Sequence, residues 1–371
     1  MSRIIQCCVS FFKKEITLSV AVLLAGISMF FVPPNLSYVS YIDWNTLALL
    51  FSLMAVMKGF QKIGLFVFLG NQLLKQTKTL RKMLFILVFL PFVSSMVITN
   101  DVALITFVPF GFIVLRMAKQ ERLVIPLVVM QTLAANLGSM LTPMGNPQNL
   151  YLYGKSGIGF IQFCFLMLPY VLLSGVGLTV LILLQKSFPV CKVSTCAKIE
   201  SKKGLLCGII GLFLCFLGLF EVVSPLVIAA VIAAFLLFAD RKLLAQIDYA
   251  LLATFFALFI LIGNIGHIES FQTFISSALT DHVEWVSILT SQLISNVPAA
   301  LLLSGLTSEW ENLIVGCNLG GLGTLIASMA SLISYKMVAK EYPNQCKKYL
   351  LIFTLYNLCF LGVLFLVSVF I

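Results

Sequence analysis

The chain has 371 residues, of which 60% are hydrophobic and 10% are charged, and its formal net charge is +10. An ordinary soluble domain carries about 25% charged residues, so a soluble fold could not bury this much apolar surface. Apolar runs close to or above the roughly 18 residues that span a bilayer recur along the chain, as at 16–32, 157–184 and 349–371. The sequence therefore predicts an all-α polytopic membrane protein.

The basic residues form short clusters between the apolar runs, which argues against a continuous nucleic-acid surface and predicts no nucleic-acid partner. If Lys13 and Lys14 are cytoplasmic, threading returns every other basic cluster to that side and leaves only Lys155 outside. The first apolar run ends without a small-residue cleavage site and is predicted to be a retained helix. We predict a multi-pass protein of the cytoplasmic (inner) membrane, surrounded by the lipid bilayer, with a cytoplasmic N-terminus and an external C-terminus.

In chain order, the threading predicts about nine full crossings. They are residues 15–34, 44–57, 122–153, 157–185, 204–220, 223–239, 248–263, 312–335 and 349–371. Two further apolar segments, 83–115 and 286–306, have both ends on one side and are predicted to be re-entrant hairpins. The short segments 60–74 and 264–280 are predicted to lie along the membrane interface.

The two halves of the chain align with each other. Ile42-Asp43-Trp44 matches Ile247-Asp248-Tyr249, and an offset of 182 pairs Asn136 with Asn318. Because five predicted crossings separate Asp43 from Asp248, the second copy is inverted relative to the first. The predicted domains are an N-terminal helix at 1–42, a first inverted repeat at 43–185, a basic linker with two connecting helices at 186–246, and a second inverted repeat at 247–371.

Polar residues are concentrated at the two hairpin tips and at two helix breaks. Prolines and a glycine interrupt the helix at 141–149, and glycines interrupt it at 320–328. Backbone that leaves a helix inside a bilayer needs polar partners, so we expect tips and breaks to line one internal cavity. The candidate substrate- and ion-binding residues are Thr99, Asn100, Asp101, Thr142, Gly145, Asn146, Asn149, Ser295, Asn296, Thr324 and Ser328.

These elements predict how a small ion is bound. Half-helices that begin inside a membrane attract an anion through their positive dipole ends, and unwound carbonyl groups attract a cation. No lysine or arginine is predicted at that depth, so affinity for an anion would rest on dipoles, amides and a bound cation. Asp101 is the one clear intramembrane acid; it could bind sodium, carry a proton, or cap the outgoing helix. A sodium ion would be held at Asn100, Asp101 and Asn296, and no other cofactor is predicted.

These motifs resemble the ion transporter superfamily, which holds divalent-anion:sodium symporters, citrate transporters, and arsenite and sodium/proton antiporter-type permeases. The likeness rests on residues 99–103 with Val108-Pro109, on 136–138 with 142–149, and on 295–298. It implies an elevator mechanism, a homodimer, and cation and substrate sites at Asn100 and Asn296. The divalent-anion symporters carry Ser-Asn-Thr at both tips. This chain has Thr-Asn-Asp and Ser-Asn-Val instead, and Thr-Asn-Asp looks closer to the citrate and arsenite-type branches.

The leading hypothesis is an ion-coupled secondary transporter of a small anion, either a di- or tricarboxylate such as citrate or an inorganic oxyanion such as arsenite. The coupling ion would be sodium or a proton. A second hypothesis is sodium/proton antiport through Asp101, and a third is a channel or a non-transporting membrane scaffold. No nucleophile, metal cluster or nucleotide-binding loop indicates an enzyme.

Overall fold

The structure is a computed structural model that describes residues 15–75, 77–189, 199–267, 277, 279–280 and 282–370. Within these ranges the regular elements are helices, apart from an isolated β-bridge between Thr79 and Pro189. The predicted all-α class is confirmed. Lys13, Lys14, part of the basic linker (190–198) and most of the predicted interfacial segment 264–280 lie outside the described residues.

Sixteen longer helices carry the fold within the described ranges. Those before the middle of the chain are Ile16–Ser28, Trp44–Lys62, Leu65–Leu74, Leu80–Ser94, Asn100–Met117, Val124–Ser139, Pro147–Ser156 and Phe160–Leu183. Those after it are Lys202–Leu219, Pro225–Ala239, Tyr249–Ile265, Val283–Ile294, Asn296–Ser304, Trp310–Leu319, Met329–Glu341 and Cys346–Ser368. Single turns at Tyr38–Tyr41, Glu121–Leu123, Pro143–Gly145, Arg241–Leu244 and Pro343–Gln345 connect some of them.

By length and composition, five of the described helical segments could cross a membrane. They are Asn100–Met117, Glu121–Ser139, Phe160–Leu183, Lys202–Leu219 and Pro343–Ser368. A sixth candidate is the pair Trp44–Lys62 and Leu65–Leu74, which meet at a bend of 53° where Gly64 takes a left-handed φ of 74°. The two halves of an interrupted helix can each be too short to span a membrane alone, even when together they cross it. The nine crossings, the re-entrant course of the hairpins and the interfacial segments therefore stay predictions.

Both hairpins and both breaks appear as pairs of shorter helices. We name each pair and keep the names below. The first hairpin is Leu80–Ser94 with Asn100–Met117, the second hairpin is Val283–Ile294 with Asn296–Ser304, the first broken helix is Val124–Ser139 with Pro147–Ser156, and the second broken helix is Trp310–Leu319 with Met329–Glu341. The interruptions fall at 95–99, 295, 140–146 and 320–328, within the polar stretches that the sequence marks.

The chain forms two compact units. The larger unit is Met57–Ile210, Glu284–Ala300 and Glu309–Ile371, and the smaller unit is Met1–Val56, Gly211–Val283 and Leu301–Ser308. The first hairpin, both broken helices and the tip of the second hairpin all belong to the larger unit. Each unit contains segments from both predicted repeats. The predicted domain boundaries at 42, 185 and 246 divide the chain by sequence repeat and not by compact unit, and they stay predictions.

In the smaller unit, the two aspartates that the sequence alignment pairs occupy equivalent places. The Oδ1 atom of Asp43 accepts a hydrogen bond from the backbone N–H of Thr46 at 3.0 Å. The Oδ1 atom of Asp248 accepts one from the N–H of Leu251, also at 3.0 Å. Each carboxylate satisfies a free N–H in the first turn of its helix. The two copies therefore begin with the same capping interaction.

A proline defect in the first hairpin is repaired from the first broken helix. Pro91 has no N–H, so the carbonyl group of Leu87, four residues earlier, loses its helical donor. The fully buried Gln131 replaces that donor: its Nε2 atom donates to the carbonyl oxygens of Leu87 at 2.9 Å and Phe107 at 3.1 Å. Because Leu87 and Phe107 lie on different arms, one amide fixes both arms of the hairpin.

Two glycines allow the hairpins to approach the broken helices closely. A Cβ atom on Gly138 would lie 2.0 Å from the carbonyl oxygen of Phe92 and 2.7 Å from the Oγ atom of Ser95. A Cβ atom on Gly320 would lie 2.5 Å from the Oγ atom of Ser291. Gly138 and Gly320 are partners at the repeat offset of 182. Each copy thus packs a hairpin serine directly against a glycine in the broken helix.

We expect Gly138→Ala to destabilise the protein by roughly 3 kcal/mol or more, because a methyl group there would overlap backbone that cannot move independently. Gly175→Ala is the matched control, since its nearest neighbour would be an ordinary 3.7 Å away on the Phe92 ring. Thermal unfolding of the purified protein in detergent measures both. Equal melting temperatures for the two variants would contradict the close approach.

Candidate functional site

The side chain of Asn136 connects the tip of the first hairpin to the second broken helix. Its Oδ1 atom accepts hydrogen bonds from the Nδ2 atom of Asn100 at 3.0 Å and the Oγ atom of Ser328 at 3.1 Å. Its Nδ2 atom donates to the Oγ atom of Ser331 at 3.3 Å. Asn100 begins the outgoing helix of its hairpin, and Ser328 is the N-cap of Met329–Glu341. Side chains from the N-termini of two helices therefore donate to the same amide oxygen.

A reciprocal bond joins the other halves of the broken helices. The Nδ2 atom of Asn318 donates to the Oδ1 atom of Asn149 at 2.8 Å. At the offset of 182, Asn318 is the repeat partner of Asn136, and Asn149 is the partner of Ser331. In each half, a buried asparagine lies before the break. Its side chain donates a hydrogen bond to a polar residue that lies after the break of the other half. The two breaks are held together by crossed amide contacts.

A third matched contact joins each hairpin to the broken helix of its own copy. The hydroxyl group of Thr142 donates to the carbonyl oxygen of Met96. The hydroxyl group of Thr324 donates to the carbonyl oxygen of Gln292 at 3.3 Å. Thr142 and Thr324 are repeat partners, and Met96 and Gln292 each lie four residues before the asparagine of their hairpin tip. Residues that the sequence alignment pairs therefore make similar contacts in the two halves.

The first break is closed by Ser139 and the residues that follow it. The Nδ2 atom of Asn146 donates to the Oγ atom of Ser139 at 2.7 Å, and that hydroxyl donates to the carbonyl oxygen of Asn136 at 2.8 Å. A Cβ atom on Gly145 would lie 2.2 Å from the carbonyl oxygen of Ser139. Gly145 is therefore a position where only glycine fits, and Asn146 satisfies polar groups left by the break.

The second break is held by one side chain of the second hairpin. The Nε2 atom of Gln292 donates to the carbonyl oxygens of Gly320 and Leu322, both at 2.8 Å. The Oε1 atom of Gln292 accepts the backbone N–H of Thr324, also at 2.8 Å. A Cβ atom on Gly323, which has a φ of 102°, would lie 2.4 Å from the same Oε1 atom. Three unwound backbone groups thus share a single amide partner.

The tip of the second hairpin is backbone in an uncommon conformation. Ser295 has a φ of 77°, in the left-handed region that favours glycine. The next N–H, of Asn296, donates to the carbonyl oxygen of Ala327 at 3.0 Å, next to the Ser328 cap. Non-glycine residues persist in such conformations when the surrounding contacts fix them, and they are concentrated at functional sites. The second tip is therefore docked against the second break.

The predicted site residues all lie in the larger unit, but they differ in exposure. Asn100, Asn146, Asn149, Ser295, Asn296 and Ser328 are buried, as are Thr99 and Gly145. Thr142 and Asp101 are half-buried, and Thr324 is exposed. The interpretation of Asp101 as the helix cap is wrong: Thr99 occupies the N-cap position, because the helix begins at Asn100 and Asp101 follows in its first turn. That turn favours a carboxylate through the helix dipole.

Several residues of the network are absent from the predicted site. They are Asn136, Ser139, Gln292, Asn318 and Ser331. Asn136 and Asn318 stand out in the repeat alignment as a matched pair of asparagines inside apolar helices, which is a signal for a polar contact. Gln292 carries no such signal, because its partner in the first hairpin is Met96. Only the folded contacts reveal that it holds the second break.

The network has no formal charge apart from Asp101. The side-chain amides of Asn100, Asn136, Asn149 and Asn318 form hydrogen bonds with amides, hydroxyls and backbone carbonyls. No group of three or more histidine, cysteine, aspartate or glutamate side chains that could hold a metal occurs among the described residues. Neutral oxygens and helix N-termini can bind a small ion with modest desolvation, which suits reversible binding.

The helical fold with its interrupted helices and polar breaks defines a multi-pass membrane transporter. The chain belongs to the citrate transporter family, whose model matches residues 8–309. It is therefore a membrane anion transporter, and the predicted superfamily resemblance is confirmed.

Individual relatives agree with this assignment. The inner membrane protein YbiR of Escherichia coli (strain K12) is 33% identical over 324 residues, which cover 85% of this chain and 86% of that protein. An uncharacterized transporter of Methanocaldococcus jannaschii is 31% identical over 297 residues, which cover 80% of this chain and 81% of that protein. The silicon efflux transporter LSI3 of Oryza sativa subsp. japonica is 34% identical over 144 residues, which cover 38% of this chain and 29% of that protein.

We expect Gln292→Met to destabilise the protein by about 2 kcal/mol or more, because it leaves two carbonyl groups and one N–H of the break without their partner. Hydrogen exchange followed by mass spectrometry should show faster exchange confined to residues around 320–328. Gln162→Met is the control, since that amide is exposed and donates to the carboxylate of Glu311 at 3.1 Å, away from the break. Unchanged exchange in the break would show that Gln292 does not hold it.

Proposed function

We propose that the protein is an ion-coupled secondary transporter that carries a small anion across the cytoplasmic membrane. The anion would be a di- or tricarboxylate such as citrate, or an inorganic oxyanion such as arsenite, and the coupling ion would be sodium or a proton. The observation that carries this proposal is the meeting of two helix N-termini at the Oδ1 atom of Asn136, through Asn100 and Ser328. Helix N-termini attract negative charge.

The arrangement of the larger unit supports an elevator mechanism. Both broken helices, the first hairpin and the tip of the second belong to that one compact unit. An elevator requires the substrate site to travel as part of a single body, so its elements must be bonded to one another. The contacts of Asn136, Asn318 and Gln292 provide such bonds within the unit. The homodimer and the opposite membrane orientation of the two repeats are parts of this proposal.

Sodium/proton antiport is the second candidate, and Asp101 favours it. Asp101 is half-buried in the first turn of a helix, next to Asn100, whose Oδ1 atom accepts the N–H of Asp101 at 2.9 Å. A carboxylate there could exchange a proton for a sodium ion without any organic substrate. The two candidates differ in one respect. Antiport requires no anion, whereas the leading proposal couples cation movement to an anion.

The deciding experiment uses the purified protein in liposomes with an imposed sodium or proton gradient. Uptake of labelled citrate or arsenite that depends on the gradient would support the leading proposal. Cation exchange that is indifferent to every anion would favour the antiporter. Flux of anion that ignores both gradients would indicate a channel, and absence of any flux would favour a membrane scaffold.

We expect Asp101→Asn to lower coupled transport at least about tenfold while the protein still inserts and folds, because the amide cannot bind or release a proton and holds a cation more weakly. Asp248→Asn is the matched control, since asparagine also caps helices and that residue lies in the smaller unit. Initial uptake rates in liposomes measure both. A wild-type rate for the Asp101 variant would assign that carboxylate a structural role only.

A further inference from the structure

Gln148 is a buried amide whose polar atoms have no hydrogen-bond partner among the described residues. Its side chain is fully buried, and neither its Oε1 atom nor its Nε2 atom is bonded. A buried amide normally finds partners, since leaving them unmade costs about 1–3 kcal/mol for each group. Both ends of this amide are therefore available to a ligand.

The position of Gln148 places its amide at the first break. Gln148 is the second residue of the half-helix Pro147–Ser156. Side chains of a helix tilt toward its N-terminus, and the N–H groups of the first turn have no partner within the helix. The unpaired amide thus lies at a helix end that already attracts electron-rich groups. The neighbouring Asn149 is tied to Asn318, so this end of the half-helix is fixed within the network.

The second broken helix has no amide at the position equivalent to Gln148. The repeat partner of Gln148 is Ala330, which is buried in the second broken helix at the equivalent place. Three other paired positions carry polar residues in both halves: Thr142 with Thr324, Asn146 with Ser328, and Asn149 with Ser331. Gln148 differs from Gln131, an equally buried amide, at the Nε2 atom: the Oε1 atoms of both are unbonded, but the Nε2 atom of Gln131 donates to two carbonyl oxygens. Gln131 serves the structure, whereas no described contact uses Gln148.

We propose that Gln148 binds the transported solute, and that the solute presents to it an O–H group beside an acceptor oxygen. This inference rests on the proposed function and narrows its substrate to hydroxyl-bearing acids or partly protonated oxyacids. The Nε2 atom donates to the acceptor oxygen, and the Oε1 atom accepts from the O–H group.

A second buried amide oxygen, on the asparagine bonded to the neighbour of Gln148, also lacks a donor among the described residues. That oxygen is the Oδ1 atom of Asn318. A fully deprotonated anion has only acceptors, so it would leave the Oε1 atom of Gln148 unsatisfied. A solute with an O–H group satisfies both ends of the Gln148 amide. The site therefore discriminates between acids of equal charge by their hydroxyl groups.

The first test measures stability and needs no substrate. Methionine is close to glutamine in volume and has no strong hydrogen-bonding group, so Gln148→Met removes an unpaired buried amide. Its melting temperature in detergent should equal or exceed that of the wild type. Gln131→Met, the matched control, should lower the melting temperature by several degrees. A fall for Gln148→Met as large as that for Gln131→Met would overturn the inference, because Gln148 would then have a structural partner such as a bound water.

The second test measures selectivity with two pairs of acids that differ only in a hydroxyl group. Citrate is compared with tricarballylate and malate with succinate, by uptake into liposomes or by a rise in melting temperature. The wild type should prefer the hydroxyl-bearing member of the pair that it accepts by at least about tenfold, because a site built to bind an O–H group rejects the analogue that lacks it. Gln148→Met should reduce that preference to about twofold or less.

The outcomes separate this inference from the function on which it rests. Wild-type protein that transports both members of a pair equally would overturn the role of Gln148 and leave anion transport intact. A preference that survives unchanged in Gln148→Met would do the same. Wild-type protein that neither binds nor transports any of the four acids or arsenite would refute the proposed anion transport, and the substrate inferred for Gln148 would be refuted with it.

Discussion

The structure depends on one constraint: a helix that is interrupted in an apolar environment exposes backbone groups that only the protein can satisfy. In the larger unit, neutral side chains meet this constraint. Gln131 replaces the donor lost at Pro91, and Gln292 binds three backbone groups of the second break. Crossed amide contacts through Asn136 and Asn318 then hold the two breaks together.

The same contacts explain why a site for a small ion can exist here. A break in a helix creates positive N-terminal ends, and the residues that satisfy the break are amides and hydroxyls with capacity for further hydrogen bonds. Asn136 shows this double role, since its Oδ1 atom joins the ends of two helices through Asn100 and Ser328. Support of the backbone and recognition of a ligand are therefore properties of one network. A change in either affects the other.

The sequence predicts the local features well, because local residues cause them. Prolines and glycines interrupt helices wherever they stand, and the observed interruptions at 140–146 and 320–328 fall on the predicted stretches. Contacts between distant segments could not be predicted in this way. The bond from Gln131 to Leu87 follows from how the hairpin packs, and the exposure of Thr324 follows from where the second break lies. The repeat alignment indicated some of these contacts, because it pairs two asparagines, Asn136 and Asn318, inside apolar helices.

The tips of the two hairpins differ by one charge, since Asp101 corresponds to Val297. A homodimer of identical half-length chains could not have this arrangement, because it would carry two carboxylates or none. A single chain that carries both halves removes that restriction, because its halves can differ in sequence. A protein assembled from two first halves would place like charges at both tips, and one assembled from two second halves would have no titrating group there. The covalent link between the two halves is therefore what permits a single acid.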